Sequence, residues 1–386
     1  MGELRTRRGF LSASGKALAA VLLAPSAMAQ FRIPEKVPVL PLPEAASPSG
    51  QLYRQALVLD GNSMPAFGRL CCNEKTDGLL AIVRDSGINA VKTTLGSFNG
   101  SFEDAVFDIA DVQNLVNRHP ELFIKVTRHD DLERARREHK MALIQSFEAA
   151  SMLEDKLDRI ELFRELDVLV MQLTYNRKTP FGCGCLDGDA DGVTPLGREA
   201  IAKMNTLGVA LDLSHANAKT TADGIALSTK PVIISHAGCR DVFEHPRNKS
   251  DRVMKALSDK GGVMGIYMLP FLTEDTRQPM LADYMRHMTH AINVLGEDHV
   301  GIGTDAPFFP YTDEDIRQQQ KYTMERVKQG MAAPGENRPY FIPDVNTPLK
   351  LELVADAMLR QGISERVTEK VLGQNFQRVF KEIWTA

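Results

Sequence analysis

The stretch VALDLSHANAKTTADGIALSTKPVIISHA (209–237) holds two short apolar runs, VALDLSH and PVIISHA, each closing on or beside a histidine. Runs of this length, rich in β-branched and aliphatic residues, read as strands buried on both faces. Six more recur: ALVLDGN (56–62), INAVKTT (88–94), MALIQSFE (141–148), VLVMQLTY (168–175), GVMGIYML (262–269) and VGIGTD (300–305). Between the runs lie helical stretches. FEDAVFDIADVQNLVNRHP (102–120) and LADYMRHMTHAINVLG (281–296) place apolar residues three and four apart, as a helix with one buried face does. Alternating buried strands and helices imply a parallel sheet covered on its outer face. Eight such units predict an α/β fold, a closed (β/α)8 TIM barrel. An open doubly wound sheet would carry a glycine-rich phosphate turn after the first strand, and DGNSMP (60–65) is not one.

Barrels of this type present their chemistry at the C-terminal ends of the strands. Four runs end at or near a metal-ligating residue: Glu148 on the third, His215 on the fifth, His236 on the sixth and Asp305 on the eighth. Histidine and carboxylate are the usual ligands of a catalytic zinc, which leaves one position for water or substrate. Glu148, His215 and His236 form such a trio, and Asp305 would hold a second metal, take a proton from water, or do both. Each has a plainer reading as well: Glu148 as a helix N-terminal acid and Asp305 as a turn or N-cap aspartate. His119, His129, His139, His287 and His299 read as ordinary surface or core histidines.

The chain has 386 residues, 43% hydrophobic and 25% charged, with a formal net charge of -4. That balance gives no electrostatic reason to expect a nucleic-acid partner or attraction to anionic lipid. The N-terminal TRRGFLSASGKALAAVLLAPSAMAQ (6–30) sets Arg7 and Arg8 before a short apolar stretch and an AMA cleavage site, the pattern of a twin-arginine signal peptide over 1–29. Its apolar part falls well short of the roughly 20 residues that span a bilayer, so no stable membrane span is expected. Export to the periplasm or cell exterior follows, with a proline-rich linker or arm at 30–50 and a single barrel domain at 51–386. Five cysteines, Cys71, Cys72, Cys183, Cys185 and Cys239, leave at least one thiol unpaired within the chain. GCGC (182–185) reads as a tight loop, with a disulfide to Cys71 or Cys72 as one arrangement, rather than as a metal site.

Several of these segments resemble the membrane dipeptidase, or renal dipeptidase, family of zinc peptidases: LDLSHAN (211–217), PVIISHAGCR (231–240), HPRNKSD (245–251), HVGIGTDAPF (299–308) and ISERVTEKVLGQNFQRVF (363–380). The resemblance runs from about Ala56 to Phe380 and rests on the order and spacing of the segments together. It implies a (β/α)8 barrel and a two-zinc site, with Glu148 as the bridging glutamate and His215 and His236 on one zinc. Asp305 matches the aspartate that ligates the other zinc and handles a proton. Arg247 matches the arginine that receives the substrate carboxylate, a role suited to a planar guanidinium; on composition alone it reads as a surface arginine.

Two positions depart from the family. Its His-x-Asp pair after the first strand is matched here by Asn62, Ser63 and Met64, and neither Asn62 nor Met64 suits zinc beside carboxylates. The site fed by Glu148, His215 and His236 should survive, and its neighbour should be weakened or empty unless Asp60 shifts inward. The family histidine that stabilises the transition state is matched by Tyr175, whose hydroxyl can donate to an oxyanion or whose ring can simply pack at the mouth.

The expectation is an exported metal-dependent dipeptidase using a metal-bound hydroxide, with one zinc per chain and two as the alternative, acting on a dipeptide-like small molecule. A homodimer is compatible with this. Two alternatives remain: a hydrolase of another small amide, lactone or ester, and a non-catalytic periplasmic protein on a decayed dipeptidase scaffold.

Overall fold

The computed structural model describes residues 37–63, 77–274, 277–307 and 309–384. The segment 1–29 read as a signal peptide, Met64, Cys71 and Cys72 lie outside the described residues.

Nine parallel strands are found among the described residues: β1 (Leu59–Ser63), β2 (Ala90–Leu95), β3 (Phe123–Lys125), β4 (Met141–Phe147), β5 (Val168–Gln172), β6 (Ala210–Asp212), β7 (Ile233–Ala237), β8 (Val263–Ile266) and β9 (Val300–Ile302). Eight of them close a ring in the order β1-β2-β4-β5-β6-β7-β8-β9, and Asp60↔Ile302 joins the last strand to the first. These eight are the eight runs read from sequence, and the molecule is a (β/α)8 TIM barrel. β3 is extra. It pairs with Met141–Leu143 on the edge of β4 that β5 takes over from Gln145 onward, while β2 runs along the opposite edge from Ala90↔Ala142 to Leu95↔Phe147.

The helices expected at 102–120 and 281–296 are Phe102–Arg118 and Leu281–Leu295. The first is held at its start by a capping box, in which Ser101 and Asp104 satisfy each other's backbone N–H. Pro48–Gln55 is also helical and takes in the last three residues of the segment read as linker, because Ser47 caps it and Pro48 sits in the first turn, where a missing N–H costs nothing. Before it the chain is extended, pinned where Leu40 N–H donates to the Asp344 carbonyl at 2.8 Å. No helix among the described residues is long and apolar enough to cross a membrane.

The outer core lies between strands and helices, and a second core fills the lower half of the barrel. The C-terminal helix Asn375–Trp384 plugs that lower end with Phe376, Phe380 and Trp384. Gly61 and Gly301 let the plug in: a Cβ at either would sit 2.5 Å from the Phe376 ring. Removing that ring leaves a cavity the surrounding strands cannot collapse into. Phe376→Ala is therefore expected to lower unfolding free energy by about 3–5 kcal/mol in a denaturant titration. With the bottom sealed by apolar side chains, the polar interior residues are confined to the upper half, under the strand ends.

Candidate metal centre

Glu148 follows β4 directly, His236 lies within β7, and His215 and Asp305 each stand three residues beyond the ends of β6 and β9. Ring closure brings them to one mouth. One ligand atom each of Glu148, His215 and His236 lies within 4.8 Å of the other two. The imidazoles approach with Nε2 to Nε2 at 3.0 Å, and Glu148 Oε1 is 3.9 Å from His236 Nε2. Asp305 joins them from beyond β9, its Oδ2 3.8 Å from the same nitrogen. Its backbone is left-handed, with φ +50° and the N–H donating to the Asn62 carbonyl at 2.7 Å, a conformation that a non-glycine residue holds only when its surroundings impose it.

The hydrogen-bond network assigns both tautomers. Asn176 Nδ2 donates to the Met331 carbonyl at 2.9 Å, so Asn176 Oδ1 faces His215 and accepts from its Nδ1 at 2.7 Å. Ser235 Oγ gives its proton to Asp212 Oδ2 at 2.5 Å and must accept from His236 Nδ1 at 2.8 Å. Both Nε2 atoms therefore carry lone pairs. Burial, reinforced by Arg247 and then by His236, holds His215 well below the usual histidine range. Burial, then Arg247 and Lys92, does the same to His236. Two neutral imidazoles thus bring their Nε2 lone pairs within 3.0 Å of each other beside a carboxylate, with only Arg247 donating to that of His215, at 3.1 Å, an arrangement that a cation between them would satisfy. The donor set fits a divalent metal of the zinc type, with each histidine's second nitrogen fixed by a partner behind it.

That backing is extensive. Asp212 accepts from Ser214 Oγ at 2.5 Å and from Gln172 Nε2 at 3.1 Å, in addition to Ser235. Lys249 donates to the carbonyls of Leu213 and Ala216 at 2.9 and 2.8 Å, bracing the loop that carries His215. Arg247 is 1% exposed, which overturns the reading of a surface arginine. One of its terminal nitrogens donates to the Ser214 carbonyl at 2.5 Å and the other to His215 Nε2 at 3.1 Å. Its guanidinium already stands at the metal position's edge.

Tyr175, three residues past β5, stacks on His215 with ring centroids 4.0 Å apart. Burial pushes its hydroxyl well above the usual tyrosine range, so it stays a donor. Phe98 stacks on its other side at 5.3 Å, and the Arg326 guanidinium lies 5.1 Å from both ring centroids. Arg326 pairs with Glu336 in the interior. Sequence reading missed it, since it comes from the helix Asp313–Lys328, beyond the last strand, and no local pattern aims it at the mouth.

Asp60 does not shift inward. Thr304 engages it through N–H at 2.8 Å and Oγ1 at 2.6 Å, and burial raises its pKa to about 6. Cys183, Cys185 and Cys239 are buried free thiols, and the disulfide partners read for GCGC, Cys71 and Cys72, lie outside the described residues. Cys185 Sγ contacts Asn176 Oδ1 at 3.2 Å and Cys239 Sγ the His287 carbonyl at 3.4 Å, so both serve as packing and weak donors. His287 is a satisfied core histidine, with Nε2 bonded to the Leu272 carbonyl and Nδ1 accepting from Cys239 N–H.

Comparison with known proteins came to the same place. The sequence profile of the membrane dipeptidases, Peptidase family M19, matches residues 85–334. The dipeptidase tcpJ of Claviceps purpurea is 26% identical over 289 residues, which is 74% of this chain and 61% of that protein, so this chain spans less than two thirds of that relative. An amidohydrolase from Pseudomonas aeruginosa superposes with a TM-score of 0.74 at 29% identity, covering 88% of this chain and 99% of the other. A metallopeptidase from Rhodobacter sphaeroides, solved with a phosphinate mimic of the dipeptide L-Ala-D-Ala, shares the fold with a TM-score of 0.70 at 20% identity, over 86% of this chain and 100% of its own.

Proposed function

The chain belongs to the membrane dipeptidase family, Peptidase family M19, and from that premise we propose that it hydrolyses the peptide bond of dipeptides at a zinc held by Glu148, His215 and His236. The observation that carries the reading is the pair of Nε2 lone pairs 3.0 Å apart beside the Glu148 carboxylate. When bound there, the metal supplies Lewis acidity and brings the pKa of water toward ~7.

The protein's own groups supply the rest. Arg247 stays fixed to the Ser214 carbonyl through one terminal nitrogen and offers the other, which would leave His215 Nε2 once that lone pair holds the metal, to the substrate's C-terminal carboxylate. Asp305 takes the proton from the attacking water and passes it to the leaving amine. Burial and then the charge of Glu148 raise its pKa, which makes its carboxylate a stronger base than an exposed aspartate. Its Oδ1 is held by Asn62 Nδ2 at 2.8 Å, leaving Oδ2 turned to the centre. Tyr175 donates its hydroxyl to the oxyanion. Tyr175→Phe keeps the stack on His215 and removes only that donor, so kcat is expected to fall on the order of 10²–10³ with metal content unchanged.

The test is hydrolysis of a dipeptide panel, including D-residue members, by metal-stripped and zinc-restored protein. Zinc-dependent release of free amino acids supports the reading; inactivity on every dipeptide with turnover of lactones or esters rejects it. The twin-arginine pattern at 1–29 supports export. Attaching those residues to a reporter that is active only outside the cytoplasm tests it.

A further inference from the structure

We infer that Asn62 and Lys92 stand in for a second cation, which makes the centre a one-metal site by construction. This rests on the reading that Glu148, His215 and His236 hold the first metal.

Two carboxylates, Glu148 and Asp305, converge on the mouth, and charges of one sign this close need something positive or proton-donating between them. A second metal ion would serve. Here the Asn62 amide does: its Nδ2 donates to Glu148 Oε1 at 2.7 Å and to Asp305 Oδ1 at 2.8 Å. Each amide proton is spent on one carboxylate. The amide cannot turn round and offer its oxygen to a metal, because Oδ1 accepts from Lys92 Nζ at 2.7 Å. An ammonium has donors only, so it always faces the oxygen.

Lys92 carries the charge a second metal would have supplied. It points into the barrel from β2, is wholly buried, donates also to Ser146 Oγ at 3.0 Å and sits 3.8 Å from Asp212 Oδ2. Lys92 therefore joins the two halves of the centre, Asp212 behind His236 and Asn62 between the carboxylates. The acid of β1 that could have competed, Asp60, is turned to Thr304. An ammonium that served only as a counter-ion for Asp212 would not require an amide bridging the carboxylates; the alignment of Lys92, Asn62 and both acids does.

The experiment is zinc titration of the full chain with elemental analysis after desalting, on wild type, Asn62→Asp and Lys92→Gln. Wild type is expected to take up one zinc per chain. Asn62→Asp replaces the bridging donor with a third carboxylate and should take up two. Lys92→Gln removes the charge and frees the amide to turn, and should show a second, weaker uptake in excess zinc. Lys92→Gln decides the matter if Asn62→Asp does not fold. Two zinc ions on wild type, or one on every folded variant, overturns the inference while leaving the metal-dependent reading intact. No zinc on folded wild type overturns that reading and this inference together.

Discussion

Replacing His215 or His236 with alanine is expected to strip the protein of its metal and to reduce dipeptide turnover on the order of 10³-fold or more. Lewis-acid catalysis contributes several kcal/mol to the transition state, and about 1.4 kcal/mol is a tenfold change in rate. The ligand nitrogens are not interchangeable with water, since both rings are locked by buried partners, Asn176 behind His215 and Ser235 behind His236. Alanine leaves Ser235 or Asn176 facing a void. His287→Ala is the matching control: its ring is as buried as that of His236, yet it bonds only to Leu272 and Cys239 in the core. That variant should lose stability while keeping its metal. Metal content by elemental analysis, read beside circular dichroism, separates the two outcomes, and retention of full metal by the His236 variant would count against the centre.

Asp305→Asn is the second large effect, about 10²–10⁴-fold in kcat, the range in which a positioned acid–base group acts. Asparagine keeps the shape and can still meet Asn62, but it cannot carry the proton. Asp305 is outside the group of three whose ligand atoms share one 4.8 Å neighbourhood. Metal uptake should therefore survive the change while turnover does not. A parallel loss of metal would assign Asp305 to the ligand set instead.

The ring of eight strands was legible because each is a continuous apolar run, and the periodicity changed sharply at the helices between them. β3 was not, since Phe123–Lys125 is three residues long and carries no pattern of its own. Glu148, His215, His236 and Asp305 could be placed by position alone, because the barrel sends every strand end to one rim. Direction within the barrel is harder to read. Lys92 sits in INAVKTT and Asp212 in LDLSH, charged residues inside runs taken as buried, and such a residue is itself the signal: it must find a partner or never fold inward. Which partner it finds depends on ring closure, since Lys92 and Asp212 are separated by 120 positions and meet at 3.8 Å only across the barrel. Asn62 illustrates the same limit. Sequence marks it as a missing ligand, whereas the structure makes it a donor to two carboxylates.

Spacing alone put GCGC in a tight loop, which it is, and the loop folds Cys185 inward against Asn176. Burial then raises the pKa values of Cys183 and Cys185, so neither is an exposed reactive thiol. Tyr175 is the packed aromatic that one of its readings described. It packs on His215 and keeps a protonated hydroxyl at the mouth.

The measurement that bears most directly on the centre is anomalous diffraction at the zinc edge from crystals grown after zinc loading and desalting. A single peak per chain is expected at about 2.0–2.2 Å from His215 Nε2, His236 Nε2 and a Glu148 carboxylate oxygen. A peak bound elsewhere with these three side chains left empty, or no peak on folded protein, would contradict it.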